Sequence, residues 1–170
     1  MPATPDDLFA FLDDLGIPHR TLAHEPHFTV EQARALRREM PGGYTKNLFL
    51  KDKKSAIFLV VTEEDAVIAL KSLHRKLGAS GRFSFASAEQ LMALWGVAPG
   101  SVTPFGAIND RSGAVTVVLD APMMRHATLN YHPLVNTMTT AIAREDLVKF
   151  LKATGHAPRI ETVSEAVALA

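Results

Sequence analysis

The spacing of apolar residues along the chain predicts five helices. In the first of them, Leu8 and Leu12 begin a run of apolar positions at helical spacing, and Gly16 follows as a stop signal. Thr29 with Gln32, and Ser87 with Gln90, form capping-box patterns at the starts of two further helices. The predicted helices are residues 6–15, 29–40, 71–76, 87–95 and 144–153.

Short runs of β-branched and other apolar residues predict seven strands between these helices. The run at 114–119 has the composition of a central strand, and residues 51–55 form a plausible hairpin loop between two strands. The predicted strands are residues 17–22, 47–50, 56–62, 66–70, 114–119, 127–130 and 135–140. Because strands and helices do not alternate regularly, we expect an α+β fold with a mixed, mainly antiparallel sheet flanked by helices.

Composition narrows the class of protein. A chain of 170 residues with 47% hydrophobic residues predicts one domain, residues 1–170, with a loosely held tail at 161–170. The absence of cysteine excludes disulfides, a thiolate nucleophile and cysteine metal sites. The first seven residues are acidic and lack the apolar segment of a signal peptide, and no apolar run is long enough to cross a membrane. We therefore expect a cytoplasmic protein without a membrane partner.

Charge is distributed unevenly along the chain although the net charge is zero. Residues 46–82 contain eight basic and four acidic side chains, whereas residues 1–45 contain four basic and seven acidic ones. Such an asymmetry can orient an RNA backbone against one face of the protein. A solvated set of surface charges explains the composition equally well.

A glycine- and proline-bounded loop carries the first candidate chemistry. Residues 100–104 read Gly-Ser-Val-Thr-Pro, in which Gly100 allows a sharp turn and Pro104 holds the exit rigid. Backbone N–H groups in such a loop can stabilise negative charge on a carbonyl oxygen, and Ser101 and Thr103 add hydroxyl groups.

Lys46 and His132 are the other candidates. A lysine at the start of a strand can bind a phosphate or a carboxylate as a point charge, although a single lysine is more often a surface residue. His132 precedes Pro133, which favours an extended backbone, and Asn136 lies close enough along the chain to orient it or a substrate amine.

Three segments, in this order, resemble the YbaK/prolyl-tRNA-synthetase editing-domain family. They are 44–54, which reads Tyr-Thr-Lys-Asn-Leu-Phe-Leu-Lys-Asp-Lys-Lys, then 100–104, and finally 132–137, which reads His-Pro-Leu-Val-Asn-Thr. The resemblance covers roughly residues 16–155. Within the family, the chain looks most like the freestanding deacylases that remove alanine from proline tRNA.

The resemblance implies a curved sheet flanked by helices and an aminoacyl-tRNA deacylase that acts in trans without a cofactor. Its substrate would be aminoacylated proline tRNA, and prolyl-tRNA synthetase is a further candidate partner. The residues that it assigns to catalysis are Lys46, Gly100 and His132. Those that it assigns to substrate binding are Thr45, Asn47, Ser101, Val102, Thr103, Pro104 and Asn136.

Other hydrolase signatures and metal sites find no support in the sequence. There is no Gly-x-Ser-x-Gly motif, Walker A motif or credible carboxylate pair. His24 and His27 flank a Glu-Pro turn without an evident third ligand, so we expect no zinc there. An aminoacyl ester is already activated, so a positioned water and oxyanion stabilisation can suffice, with help from the vicinal ribose hydroxyl.

Selectivity follows from size under this interpretation. A synthetase site for proline excludes the smaller alanine only weakly, because one methylene contributes about 1–3 kcal/mol to discrimination. We therefore expect an editing pocket that rejects proline, with Phe28, Val30, Leu48 and Phe105 as candidate wall residues. A deacylase for another small amino acid such as cysteine or serine, and a non-catalytic module that binds tRNA or a synthetase, are the alternatives.

Overall fold

The computed structural model describes residues 1–166, and five helices pack around one sheet of eight strands. The capping boxes predicted from Thr29 and Ser87 are formed, and Thr4 caps the first helix in the same way. The helices are α1 (Pro5–Asp14), α2 (Val30–Glu39), α3 (Leu70–Leu77), α4 (Ala88–Trp95) and α5 (Arg144–Ala153).

The sheet is mixed, with four antiparallel and three parallel contacts between strands. The order across the sheet is β1-β7-β6-β2-β3-β5-β8, and β4 pairs with the end of β2 on the edge opposite β3. The strands are β1 (Arg20–Ala23), β2 (Gly43–Lys51), β3 (Ile57–Glu63), β4 (Ser84–Phe85), β5 (Val115–Asp120), β6 (Thr128–Tyr131), β7 (Met138–Ala143) and β8 (Arg159–Glu161). This confirms the α+β class.

Alternation along the central strands divides the apolar residues between two cores. On β2, Phe49 faces the larger core, formed with α1, α4 and α5, whereas Leu50 faces a smaller core that is covered by α3. The fully buried Trp95 and Phe150 are among the largest side chains of the first core. Helix α2 contributes no buried residue to either core.

The structure corrects three of the predicted strands. Residues 66–70 form no strand: the Ala66 N–H turns back to the Glu63 carbonyl, and α3 begins at Leu70. Residues 135–137 lie in a turn, since Leu134 has a φ of 72° and the strand starts only at Met138. Similarly, residues 17–19 precede β1, which begins where β7 supplies a partner at Arg20.

The predicted loose tail is wrong for residues 161–166 and lies outside the described residues for 167–170. Glu161 belongs to β8, and Val163 is buried in the smaller core. One carboxylate oxygen of Asp120 accepts hydrogen bonds from the Val163 and Ser164 N–H groups. This part of the chain is therefore held against the end of β5.

A buried polar pair, Asp110 and His156, stabilises the larger core near the start of β5. Asp110 Oδ2 lies 2.8 Å from His156 Nε2 and accepts the Val115 N–H at 2.9 Å. Burial alone would raise the pKa of Asp110, but these contacts and the Ser112 hydroxyl outweigh it and hold the pKa below its ordinary value. The His156 ring also packs edge-on against Trp95.

We expect Asp110→Ala to lower the free energy of unfolding by about 3–5 kcal/mol at pH 7, because it leaves His156 buried without its partner. The stabilisation by Asp110 is fully present above pH 3.8, the pKa of its carboxyl group in the unfolded state. It is lost as the pH falls through the lower pKa of the folded state. Urea unfolding of the wild-type protein and of Asp110→Ala between pH 7 and pH 3 measures this difference in the free energy of unfolding. Equal stabilities at pH 7 would contradict the structural role.

Candidate functional site

A cleft opens where two neighbouring strands of the sheet separate. Strands β2 and β6 run parallel but pair only at Gly43 with Leu129 and Tyr44 with Asn130. Beyond that point the Thr45 hydroxyl still reaches the Asn130 carbonyl, at 3.2 Å. The separation leaves side chains of both strands facing a shared space.

Two glycines allow the strands to approach before they separate. Gly42 has a φ of 121°, and a Cβ there would lie 2.6 Å from the Thr128 carbonyl oxygen. A Cβ on Gly43 would lie 2.8–2.9 Å from the His126 ring. A side chain at either position would therefore force β2 away from β6.

The cleft has a volume of about 200 Å³ and lies between α2, β2 and β6. This is smaller than the pockets that bind drug-sized molecules, so the cleft suits a small ligand group. Its lining combines apolar side chains of α2 with polar ones of the strands. The lining residues are Phe28, Ala33, Leu36, Arg37, Tyr44, Thr45, Asn47, Glu64, Asn130, Tyr131, His132 and Thr139. The cleft thus brings together three of the predicted site residues, Thr45, Asn47 and His132.

His132 has its protonation state set by its surroundings. Its Nδ1 lies 3.0 Å from the Met138 carbonyl, which can only accept, so Nδ1 carries the proton and Nε2 keeps a lone pair. Burial lowers the pKa of His132, and nearby His24 lowers it further, against the opposing effect of the carbonyl. A neutral ring with a free Nε2 can accept a proton from water.

His24 lies next to the cleft, although its position in the sequence indicated no functional role. Its Nε2 lies 2.7 Å from the Thr139 hydroxyl, and its Nδ1 lies 2.8 Å from the Glu25 carbonyl. Its ring packs 4.6 Å from that of Phe28 and 6.2 Å from that of His132, centroid to centroid. Only the pairing of β1 with β7 brings these residues together.

Polar contacts tie α2 to the sheet across the cleft. The Arg37 guanidinium pairs with Glu64 and lies 4.7 Å above the centre of the Tyr44 ring. The Tyr44 hydroxyl donates to the Met40 carbonyl at 2.8 Å. The two charged residues of the cleft lining therefore neutralise each other, and the rest of the lining is uncharged when His132 is neutral.

Two buried amide oxygens of the cleft accept no hydrogen bond from any described residue. They are Oδ1 of Asn47 and Oδ1 of Asn130. An unpartnered buried acceptor costs about 1–3 kcal/mol of stability, so each requires an explanation. Asn130 carries no local signal in the sequence, because only its pairing beside Tyr44 places it in the cleft.

Lys46 does not line the cleft. It alternates with Thr45 and Asn47 on β2, so its side chain leaves the face of the strand that also carries Tyr44, which does line the cleft. The ammonium donates to the Ala66 carbonyl in the connection between β3 and α3. The predicted catalytic role would require the ammonium to leave this carbonyl, and it stays a prediction.

The 100–104 loop is more internal than its sequence suggested. It joins two short 3-10 turns, Pro99–Ser101 and Pro104–Asn109. Ser101, Thr103 and Pro104 are buried, and the Thr103 carbonyl accepts the Trp95 indole N–H at 2.6 Å. None of residues 100–104 is among the residues that line the cleft.

One end of this loop nevertheless meets the predicted third segment. A Cβ on Gly100 would lie 3.4 Å from the Asn136 side-chain nitrogen, which is an ordinary contact distance, so the loop and the third segment are neighbours. Neither Gly100 nor Asn136 is among the residues that line the cleft.

Of the four proposed wall residues, only Phe28 lines the cleft. Phe105 is fully buried in the larger core, where its ring packs against Tyr131 and Phe150. Leu48 packs on the smaller core, and Val30 is 69% exposed. The inner wall is instead made by Leu36, Ala33 and Tyr131, which lie far apart in sequence.

A larger depression, of about 1010 Å³, lies between α1 and residues 107–111. It contains none of the predicted site residues, so we place the candidate site in the smaller cleft. In the part of the chain that is described, no three histidine or acidic side chains are grouped to hold a metal ion. No helix there has the length and apolar character needed to cross a membrane.

Comparison with known proteins identifies relatives along most of the chain. Residues 24–150 match the model of the aminoacyl-tRNA editing domain family. The prolyl-tRNA editing protein ProX of Acetoanaerobium sticklandii is 37% identical over 150 residues, covering 88% of this chain and 91% of the relative. Prolyl-tRNA synthetase associated domain-containing protein 1 of Danio rerio is 38% identical over 156 residues, covering 91% and 84%.

Solved structures share the fold. A crystal structure described as a candidate trans-editing enzyme for prolyl-tRNA synthetase superimposes with a TM-score of 0.71. The alignment covers 98% of this chain and 100% of that one at 16% sequence identity. At this identity the likeness supports the architecture, and the sequence relatives carry the family assignment.

We expect His132 to titrate below 6.5 in a proton–carbon NMR experiment on the imidazole signals, because burial and His24 both disfavour its charged form. Replacing His24 with Gln should move the midpoint upward, since it removes a positive charge that forms nearby as pH falls. Exposed His27 provides a reference signal in the same spectra. A midpoint for His132 at or above 6.5 would contradict the assigned environment.

Proposed function

This chain belongs to the aminoacyl-tRNA editing domain family, and from this membership we propose that it deacylates mischarged proline tRNA in trans. The family assignment confirms the resemblance inferred from the three sequence segments, and it supports an ester hydrolase. Alanine is the amino acid that we propose as preferred, and prolyl-tRNA synthetase is a further proposed partner.

The observation that carries the proposal is a small cleft with neutral His132 in its lining. In the proposed step, a water oxygen attacks the carbonyl carbon of the aminoacyl ester while Nε2 of His132 takes one of its protons. The tetrahedral oxyanion collapses, the bond to the ribose oxygen breaks, and Nε2 of His132 returns its proton to that oxygen. Free amino acid and tRNA are the products.

Stabilisation of the oxyanion is assigned to the segment around Gly100. Gly100 of this segment lies next to Asn136, which follows His132 of the cleft by four residues along the chain. A fixed N–H donor near a developing negative charge contributes more to rate than to binding. Trp95 supports this segment from the core through its bond to the Thr103 carbonyl.

Size supports alanine as the preferred amino acid. The apolar wall of Phe28, Leu36 and Tyr131 surrounds a space of about 200 Å³ that also has to admit part of the terminal ribose. Proline adds a rigid ring to that volume. Discrimination by such a wall is expected to be independent of salt, whereas attraction of the tRNA backbone weakens with salt for every amino acid alike.

We expect alanine on proline tRNA to be hydrolysed faster than cysteine or serine, with proline hydrolysed slowest. Deacylation rates for the four charged tRNAs, measured at low and high salt, provide the test. Phe28→Ala should raise the rate on cognate prolyl-tRNA while alanine removal persists, and Val30→Ala is its matched control outside the cleft. If cysteine or serine is preferred, the proposed preference for alanine is wrong but the proposed deacylase function stands. If none of the four charged tRNAs is hydrolysed, the proposed function is wrong.

We expect Lys46→Ala to lower kcat/KM by about 10–100-fold, the loss typical of a hydrogen bond to a charged substrate group. Thermal unfolding should change little, because the partner lost in the protein is a single carbonyl at half-buried Ala66. Lys71→Ala, an exposed lysine of α3, is the control. Wild-type kinetics of Lys46→Ala would remove the lysine from the site, and a large fall in Tm would make it structural.

A further inference from the structure

A side-chain contact crosses β2 close to the cleft. Glu63 ends β3, and its Oε1 accepts a hydrogen bond from Nε2 of His126, which lies two residues before β6. Because β2 lies between β3 and β6 in the sheet, this contact spans a whole strand. We call it the Glu63–His126 bridge. Neither residue takes part in the proposed hydrolytic step, and neither is among the residues that line the cleft.

Gly43 leaves room for the bridge on β2. A Cβ there would lie 2.8 Å from Cδ2 and 2.9 Å from Cγ of the His126 ring, so the ring lies directly over the backbone of the strand. Gly43 also forms one of the two residue pairs between β2 and β6. The bridge therefore crosses β2 at the short strand contact that precedes the cleft.

The Glu63 end of the bridge lies beside a residue of the cleft lining. Glu63 pairs with Thr45 of β2, and directly opposite residues of an antiparallel pair share one face of the sheet. Thr45 lines the cleft, and its hydroxyl donates to the Asn130 carbonyl of β6 at 3.2 Å. The bridge thus extends from the strand contact to the place where β2 and β6 separate.

Further contacts hold both ends of the bridge. The Glu63 side chain is 16% exposed, and the Arg125 guanidinium donates to the same Oε1 at 3.0 Å. On the other side, the guanidinium of Arg144 in α5 donates to the carbonyls of Met124 and Arg125 at 3.2 and 3.1 Å. The segment that leads into β6 is therefore attached to β3 and to α5 at once.

We propose that the Glu63–His126 bridge sets the width of the cleft and, through it, the selectivity between alanine and larger amino acids. The backbone contact between β2 and β6 consists of two residue pairs, and the bridge adds a link across it. Without that link β6 can move away from β2 and enlarge a space of about 200 Å³. The inference rests on the proposed function, since selectivity requires a deacylase. Glu63 and His126 are positioning residues, because the proposed reaction places neither of them on the substrate.

The first test is the ratio of kcat/KM on alanyl to that on prolyl esters of proline tRNA, measured with the full-length protein. Glu63→Ala and His126→Ala should each lower this ratio by about 10-fold, the lower end of the discrimination that one methylene provides. A wider cleft raises the rate on proline, whereas a smaller folded fraction lowers both rates by the same factor. The double variant should match the single ones, because all three lack the same bridge. A wild-type ratio in folded single variants would overturn the proposal.

Conservative variants test whether the hydrogen bond itself is responsible. Glu63→Gln keeps an acceptor oxygen for His126, and His126→Gln keeps a side-chain N–H that can reach Glu63. Both should therefore retain a ratio closer to that of the wild-type protein than the alanine variants do. His126 is 29% exposed, so its variants remain informative if Glu63→Ala fails to fold. Glutamine variants that are no better than the alanine variants would exclude the bridge as the cause.

Arg125→Ala is the matched control for the charge around Glu63. It removes the other donor to the same carboxylate oxygen, from a side chain that is 70% exposed, and leaves the bridge in place. We expect it to keep the wild-type ratio. A fall as large as that of Glu63→Ala would assign the effect to the ion pairing of Glu63 in general and would contradict a specific role of His126.

Hydrogen–deuterium exchange examines the bridge without hydrolysis, which separates this inference from the proposed function. In Glu63→Ala, the backbone amides of residues 43–45 and 129–131 should exchange faster, while those of β5 and β8 keep their wild-type rates. Equal acceleration throughout the sheet, or none at β2 and β6, would refute the bridging role. If no charged proline tRNA is hydrolysed but exchange rises only at β2 and β6, the proposed function fails and the structural role of the bridge stands.

Discussion

The short parallel contact between β2 and β6 is the constraint on which the functional part of the structure depends. It consists of two residue pairs, and it is possible because Gly42 and Gly43 leave no Cβ to meet the Thr128 carbonyl and the His126 ring. The strands then separate, and further along β2 the next partner on that edge is β4, at Leu50 and Lys51. If β2 and β6 stayed paired beyond Tyr44, there would be no cleft between these strands and α2.

The chemistry of the cleft follows from what its polar groups already bind. His132 uses one ring nitrogen on the Met138 carbonyl, which leaves the other for a ligand, while Arg37 and Glu64 occupy each other. The Asn130 amide N–H₂ donates to the Gly43 carbonyl at the contact between β2 and β6, and its Oδ1 accepts no hydrogen bond from a described residue. The cleft is therefore largely neutral and rich in hydrogen-bond acceptors, so it favours a hydrogen-bond donor over a phosphate. Contacts in the larger core stabilise the structure outside the cleft. The Trp95 indole N–H donates to the Thr103 carbonyl of the 100–104 loop, and Asp110 pairs with His156.

Elements with strong local signals were predicted well from sequence. The helix at 144–153 has the predicted bounds, and the capping boxes at Thr29 and Ser87 are confirmed, because a cap is decided by residues three positions apart. Residues 66–70 and 135–137 were wrongly predicted as strands, since an apolar run forms a strand only where a partner strand is available. The same limit explains Phe105, which is as apolar as Phe28 but lies in the core. Nothing local to either phenylalanine distinguishes a core position from a cleft wall.

By itself, the sequence determined the fold class, the family and three of the residues that line the cleft, Thr45, Asn47 and His132. These depend on local periodicity and on motifs whose order along the chain is visible. Only the tertiary structure decided that the Lys46 ammonium donates to the Ala66 carbonyl, that Thr103 is buried, and that Asn130, His24 and Glu64 belong with the cleft. The physical reason is that facing and proximity are set by strand pairing between distant segments. Shifting the pairing by one residue would exchange the side chains that face the cleft for those that face away from it.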